Sequence, residues 1–336
     1  MKKIPVLLPA LLHGPSSRTT LDSCRYVRIA NCHIYTGDDA IVLKATSHRK
    51  CQHVTVTNCV LSGAPSSFKL GTESNGSFED ITCSNCTIYD SNSAGIALMM
   101  VDGARFGRVN VSNITMRGVK VPLFIRLGNR ARPLPGEKKP GVGTLRDIVI
   151  SNVQAAVISP VGCSITGIPG HPAENITLEN IRFHFVGGGT AEQAAREVPE
   201  LEGAYPKGPM FGVLPAYGFY CRHVRNLRLH NIDLDCQRRD LRPAVVCDDV
   251  QDLDLFGLRA EIDSEASGVV RLIHCRGALI HGCRAYEPIP TFLRVEGDRS
   301  EKMYLTGNDL RDAKHPVLAG PNVPKDAVEG VEVNRE

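Results

Sequence analysis

Apolar and polar residues alternate along this chain in short runs, and the runs are built alike. VRIANCHI (27–34), VTVTNCVL (54–61), ITCSNCTI (81–88), VNVSNITM (109–116), IVISNVQA (148–155), ITLENIRF (176–183) and LRLHNIDL (227–234) share one pattern, apolar-x-apolar-x-Asn-apolar-x-apolar. LDLFGLRA (253–260) and LIHGCRA (279–285) are weaker copies. The period of two on either side of the Asn predicts strands, and a helical period of about 3.6 is absent. The Asn marks a bend, because its side-chain amide can bond the backbone and it tolerates the left-handed region. These asparagines fall at 31, 58, 85, 113, 152, 180 and 231, in steps of 27, 27, 28, 39, 28 and 51. Steps near 27 suit one coil of a solenoid, and the two long steps are coils carrying inserted loops. The predicted fold is all-β: a right-handed, single-stranded parallel β-helix with rungs about 4.8 Å apart. Stacked coils would align the bend amides in a ladder, each donating to the next.

The pattern divides the chain into an atypical N-terminal segment (1–20), a β-helix domain (21–310) and a C-terminal tail (311–336). The inserted loops are 129–144, basic and rich in Pro and Gly, and 187–216, which contains a short helix-like AEQAAREV. Loops inserted at one corner of a solenoid commonly wall a groove. Neither reads as a linker between domains.

Composition narrows the class. Hydrophobic residues make up 42% and charged residues 22% of 336 residues, as in an ordinary globular chain. A net charge of +3 without a Lys/Arg cluster argues against a nucleic-acid partner. No apolar run approaches the roughly 20 residues of a membrane span, so no membrane partner is expected. The opening MKKIPVLLPALLHG is broken by two prolines and followed by no small-x-small cleavage site, so it is not a convincing signal peptide. Trp is absent and aromatics total 5%, which argues against long sugar-stacking platforms. Of the 12 cysteines only Cys83 and Cys86 form a C-x-x-C, with no second pair and no His pair following. Buried, structural cysteines are expected, with no metal and no cofactor.

The candidate chemistry lies in YTGDDAIVLK (35–44). Adjacent carboxylates in a regular strand would diverge to opposite faces. A turn can bring Asp38 and Asp39 to one cleft, although Gly-Asp is also common punctuation before a buried strand. Aligning Ile41 with Phe68 and Leu43 with Leu70 puts Lys69 outside the coil, one rung from Val42. Glu73 follows in the next turn. Arg126 lies outward between core-facing Ile125 and Leu127, with Arg130 in the loop beyond. Each of these cations has a competing reading as part of a solvated face. Asp248-Asp249, lacking a preceding Gly, reads as a coil corner.

DSCRYVRIANCHIYTGDDAIVLK (22–44), SSFKLGTESNGSFEDITCSNCTI (66–88), GHPAENITLENI (170–181) and LPAYGFYCRHV (214–224) resemble glycoside hydrolase family 28. This is the polygalacturonase and rhamnogalacturonase group of pectin-degrading β-helices, and the resemblance spans roughly residues 20–290. It implies inverting hydrolysis, in which two carboxyls about 6.5–9.5 Å apart flank the scissile bond and leave room for a water. Asp38 then maps to the general acid and Asp39 to a base partner. Lys69, Arg126 and Arg130 would hold uronate carboxylates. Glu73, Tyr217, Arg222 and His223 complete the implied substrate contacts, the last three with an alternative as loop packing. The implied partner is an acidic plant-type polysaccharide or oligosaccharide, and the implied compartment of a full-length protein is secreted or periplasmic.

The chain also departs from the family pattern. The slot for an Asn-x-Asp motif falls at Pro15-Ser16-Ser17, that for His-Gly at Ser66-Ser67, and that for Arg-Ile-Lys at Ala97-Leu98-Met99. Family members usually carry several coils upstream, so the chain is expected to be N-terminally truncated. Two further readings stay open. One is a polysaccharide lyase, with a Lys or Arg base and Ca²⁺ held by Asp38, Asp39 and Glu73. The other is a catalytically impaired carbohydrate-binding relic.

Overall fold

The structure, a computed structural model, describes residues 11–14, 19–285 and 288–336. It is all-β and forms a right-handed parallel β-helix of about 11 turns, as the alternation predicts. On a first face Ile41–Ala45 pairs with Ser66–Ser74, followed by Ala94–Met100, Val121–Leu127, Cys163–Thr166 and the start of Phe219–Cys236, all parallel. On a second face Arg25–Ala30 pairs with Cys51–Thr57, then Phe78–Tyr89, Arg105–Val119, Thr144–Val157 and Ala173–Phe185. The longer of these strands turn at their Asn and run on along a third face.

All seven predicted bend asparagines adopt the left-handed region, with φ between 52 and 57°. That region is costly for most L-residues, and Asn tolerates it because its short amide can bond locally. The amides also bond to one another. Asn113 donates to Asn85 at 2.9 Å, Asn152 to Asn113 at 2.9 Å, Asn180 to Asn152 at 2.9 Å and Asn231 to Asn180 at 3.1 Å. The bend column continues as Gly257, Gly282 and Gly307, with φ of 65, 62 and 61°. The ladder of amides thus ends at Asn231, and a Cβ at Gly257 would lie 2.9 Å from its Oδ1.

A second left-handed bend stands five residues before the first, at Tyr26, His53, Asp80, Arg108, Asp147, Asn175, Asn226 and Asp252. Its residue types vary, so no repeat of letters announces it. Side chains along it bond where the chemistry allows: Asn226 to Asn175 at 3.0 Å, Asn175 to Asp147 at 2.8 Å, and Arg108 to Asp80 at 2.5 Å.

Inward positions of every coil fill one apolar core of Ile, Val, Leu and Phe. All twelve cysteines are free. Cys32, Cys59 and Cys86 follow bend asparagines, and each thiol donates to the carbonyl two residues earlier, at 3.2–3.3 Å. Burial pushes the Cys51 thiol up to about 12, so it is an inert thiol in the core. Cys83 and Cys86 are likewise buried. Among the described residues no group of three His, Cys, Asp or Glu is placed to hold a metal.

The ends of the stack differ from the predicted division. Ala313–Ala319 pairs with Ile289–Glu296, and Val333–Arg335 pairs with Ala313–Ala319 in turn. The segment expected as a tail therefore supplies further rungs, because its apolar alternation is sufficient for pairing. Leu11–Gly14 and Thr19–Asp22 pair with His33–Thr36 and Ile41–Ala45. Residues 15–17, the expected Asn-x-Asp slot, lie outside the described residues.

The ladder makes a stability prediction. Asn152→Ala places a Cβ in the left-handed region without an amide and is expected to cost roughly 1–3 kcal/mol. Asn152→Gly keeps the backbone geometry and is expected to cost less. Urea unfolding of both variants checks the order, and equal losses would show that conformation contributes nothing.

Candidate active site

The turn between the third and first faces carries the two aspartates, and the next coil pins it. Thr36 Oγ1 donates to the Asp38 carbonyl at 2.5 Å and accepts from the Asp38 amide at 3.2 Å. The Asp39 amide donates to Asp38 Oδ1 at 2.8 Å. Ala64 N reaches the Asp38 carbonyl at 3.1 Å and Ala40 N reaches Ser66 O at 3.0 Å. Because these residues are a turn and not a regular strand, both carboxylates line one cleft of about 510 Å³, with Lys44, Ser66, Lys69, Asn92 and Ser93.

Asp38 is half-buried, whereas Asp39 is only 5% exposed. Lys69 Nζ donates to Asp39 Oδ2 at 2.8 Å, which balances a charge that would otherwise be costly to bury. Asp39 Oδ1 is buried and has no hydrogen-bond partner among the described residues. Pairing of Ile41 with Phe68 and Leu43 with Leu70 sets Lys69 in this position, in the register read from the sequence.

The other cations are engaged elsewhere. Lys44 pairs with Glu73 at 2.9 Å, and Arg130 approaches the same carboxylate at 4.0 Å. Burial opposes ionisation of Glu73, but Lys44 and Arg130 outweigh it and hold the carboxyl below its ordinary range. Arg130 grips Asp102 with both Nε (2.9 Å) and Nη2. Asp102 is fully buried and also takes the amides of Ser74 at 3.1 Å and Arg132 at 3.0 Å. Arg130 is thus a loop anchor and not an open substrate cation. Its guanidinium lies 6.0 Å from the Tyr205 ring.

The second insertion corrects four further expectations. It folds down on the outward side of the first face, and its segment 205–209 lines the cleft. Its helix Ala191–Ala195 starts with a capping box, Thr190 and Gln193 each bonding the other's backbone amide. Val198, Phe211, Leu214 and Ala216 then pack in one apolar cluster with Ala97, Met99, Phe124, Tyr220 and Val246. Arg126 lies beneath, 2% exposed, donating to Thr166 Oγ1 (3.2 Å), Gly167 O (2.9 Å) and Glu200 O (2.7 Å). Its guanidinium is 5.4 Å from the Phe211 ring, and burial pushes its pKa down to about 10. It clamps the insertion and does not meet the cleft.

Tyr217 is in the core, donating to Glu261 O at 2.6 Å. Arg222 and His223 stand about five rungs from the aspartates, or roughly 24 Å. Arg222 holds Val198 O at 2.6 Å, Glu200 at 2.5 Å and Asp248 at 3.2 Å. His223 sits between Asp249 (2.7 Å) and Glu200 (3.1 Å). The Asp248-Asp249 corner thus helps seat the insertion. The first insertion runs back along another corner, where Asn75 donates to Arg132 O at 2.7 Å and His48 meets Glu137 at 2.9 Å.

Four cleft-lining residues had no signal in the periodicity. Asn92 and Ser93 come from the turn after Tyr89, and Tyr205 and Lys207 from the second insertion. Loop positions carry no in-or-out alternation, so only the structure places them.

The cleft, then, is a pair of turn carboxylates on a parallel β-helix with cations around them. The sequence profile of the glycosyl hydrolases family 28 matches residues 19–202. That is more than half of the 336-residue chain, and the chain belongs to this family. The matched stretch includes both aspartates and ends inside the second insertion. No curated protein matches the chain in sequence. Among solved structures, the A-module of mannuronan C-5 epimerase AlgE4 from Azotobacter vinelandii is similar to it at 10% identity and a TM-score of 0.39, over 96% of this chain and 89% of that one.

Two outcomes test the electrostatic assignments. The folded pKa of Glu73 is lowered, so its pairing contributes stability above the ordinary value of 4.5 and loses it as pH falls below. Glu73→Gln is expected to lower the unfolding midpoint near neutral pH, with the deficit shrinking as pH falls below 4.5 and through the folded pKa. A deficit that persists in acid would show another cause. Arg126→Met leaves a hydroxyl and two carbonyls without their donor and is expected to cost roughly 2–4 kcal/mol. Limited proteolysis should then cut first within 187–216, and unchanged protection would overturn the clamp.

Proposed function

We propose that the protein hydrolyses glycosidic bonds in a pectic, galacturonate- or rhamnogalacturonan-containing saccharide by an inverting acid/base mechanism. The reading is carried by one observation: a pinned turn presents Asp38 and Asp39 to the same cleft, with Asp39 buried against Lys69. Asp38, the more exposed of the two, donates its proton to the glycosidic oxygen as the C–O bond breaks. Asp39, which lines the same cleft beside Lys69, accepts a proton from a water. That water's oxygen bonds to the anomeric carbon from the opposite face, so the configuration inverts. Lys69 balances the Asp39 charge and orients the carboxylate. Lys44, Lys69 and Lys207 give the cleft a cationic lining that suits an acidic sugar.

Reducing-end release from polygalacturonate and rhamnogalacturonan tests this reading. Asp38→Asn and Asp39→Asn are each expected to lower kcat by roughly 10²–10⁴-fold. Parental rates in either variant would overturn the assignment of that residue. A product with an unsaturated, ultraviolet-absorbing ring would identify β-elimination in place of hydrolysis. Binding without any cleavage by the parent would leave a carbohydrate-binding protein.

A further inference from the structure

We infer that the second insertion closes the cleft at one end, so that the site takes the end of a saccharide chain, and that Lys207 reads an acid group on the terminal sugar. This rests on the reading of the cleft as a sugar-cleaving site.

A groove on the outward side of the first face would run along the solenoid axis, and strand register shows what it would cross. Val42, Lys69, Ala97, Phe124, Ser164, Tyr220 and Val246 stand in one outward column on successive rungs. Lys69, Ala97 and Phe124 line the cleft. Ala97, Phe124, Tyr220 and Val246 all belong to the apolar cluster formed with Val198, Phe211, Leu214 and Ala216. The insertion therefore covers the column from Ala97 onward, and the cleft is bounded there by Ala97 and Phe124. A polymer lying across the site in that direction would meet the insertion.

The closing wall is the segment Tyr205-Pro206-Lys207-Gly208-Pro209, and it is fixed in place. Gly208 N donates to Ser93 Oγ at 3.0 Å, and Thr72 Oγ1 donates to Tyr205 OH at 3.0 Å. Upstream, Asn129 N holds Glu202 O at 2.7 Å. A Cβ on Gly208 would lie 2.9 Å from the Ser93 carbonyl, so the backbone is seated closely against the coil. Prolines on both sides restrict the backbone further. These contacts describe a preformed wall and not a swinging lid.

Charge then singles out one side chain. Three cations line the cleft among the described residues: Lys69 is paired with Asp39, and Lys44 with Glu73. Lys207 is exposed and has no ion-pair partner among the described residues. It is the lining cation with its charge still available, and it stands on the wall where a chain end would stop. A carboxylate there gains a charge-assisted hydrogen bond.

Two measurements separate this inference from hydrolysis itself. On polygalacturonate, mono- and disaccharides are expected from the earliest times with little loss of viscosity. A rapid fall in viscosity with a ladder of long oligomers would overturn end-on binding while leaving hydrolysis intact. Calorimetric binding to the Asp38→Asn protein tests Lys207 without turnover. Lys207→Ala in that background is expected to weaken trigalacturonate binding roughly ten-fold and to leave its methyl ester unaffected, with Lys207→Arg restoring the acid form. Equal losses for acid and ester would assign Lys207 a structural role only, and no loss for either would remove it from the site.

Discussion

The left-handed bend that ends one strand and starts the next is the constraint on which this molecule depends. It recurs at the same point of each coil, from Asn31 to Gly307. If one bend were lost, the next strand would leave at a different angle and its alternation would no longer meet the core. Because the bend is kept, Ile41 stays above Phe68 and Leu43 above Leu70, and Lys69 is delivered to Asp39 without any contact between them in sequence. Register made by the corner thus becomes electrostatics in the cleft.

How the charges are divided explains why few of them are available. Asp102, buried beneath the loop, takes Arg130; Glu200, Asp248 and Asp249 take Arg222 and His223. These pairs and the buried Arg126 hold loops on a surface that a bare solenoid would leave open. Burying an arginine is tolerable here because carbonyls and a hydroxyl receive its donors. The cleft keeps Asp39 paired with Lys69.

Much of this was legible in the letters. The Asn bends, the coil length, the two insertions and the outward position of Lys69 all follow from periodicity, because one residue type performs one backbone task. The second bend was not legible, since Tyr, His, Asp, Arg and Asn share it and only φ unites them. Arg126 was placed correctly on the outside of the sheet, but alternation distinguishes in from out and cannot say what lies above. Tyr217 was assigned to the groove from the family resemblance and belongs to the core. Lys207 sits where there is no period to read.

The glycine rungs carry a consequence for how the molecule opens. From Gly257 onward the corner column has no amide to pass along, and each glycine adds freedom to the unfolded chain. Coils in a solenoid lean only on their neighbours, so unequal corners give unequal local stability. The C-terminal rungs are therefore expected to exchange their amide hydrogens faster than the laddered coils from Asn85 to Asn231. The aspartates lie at the other end, with the laddered coils from Asn85 to Asn231 between them and those rungs.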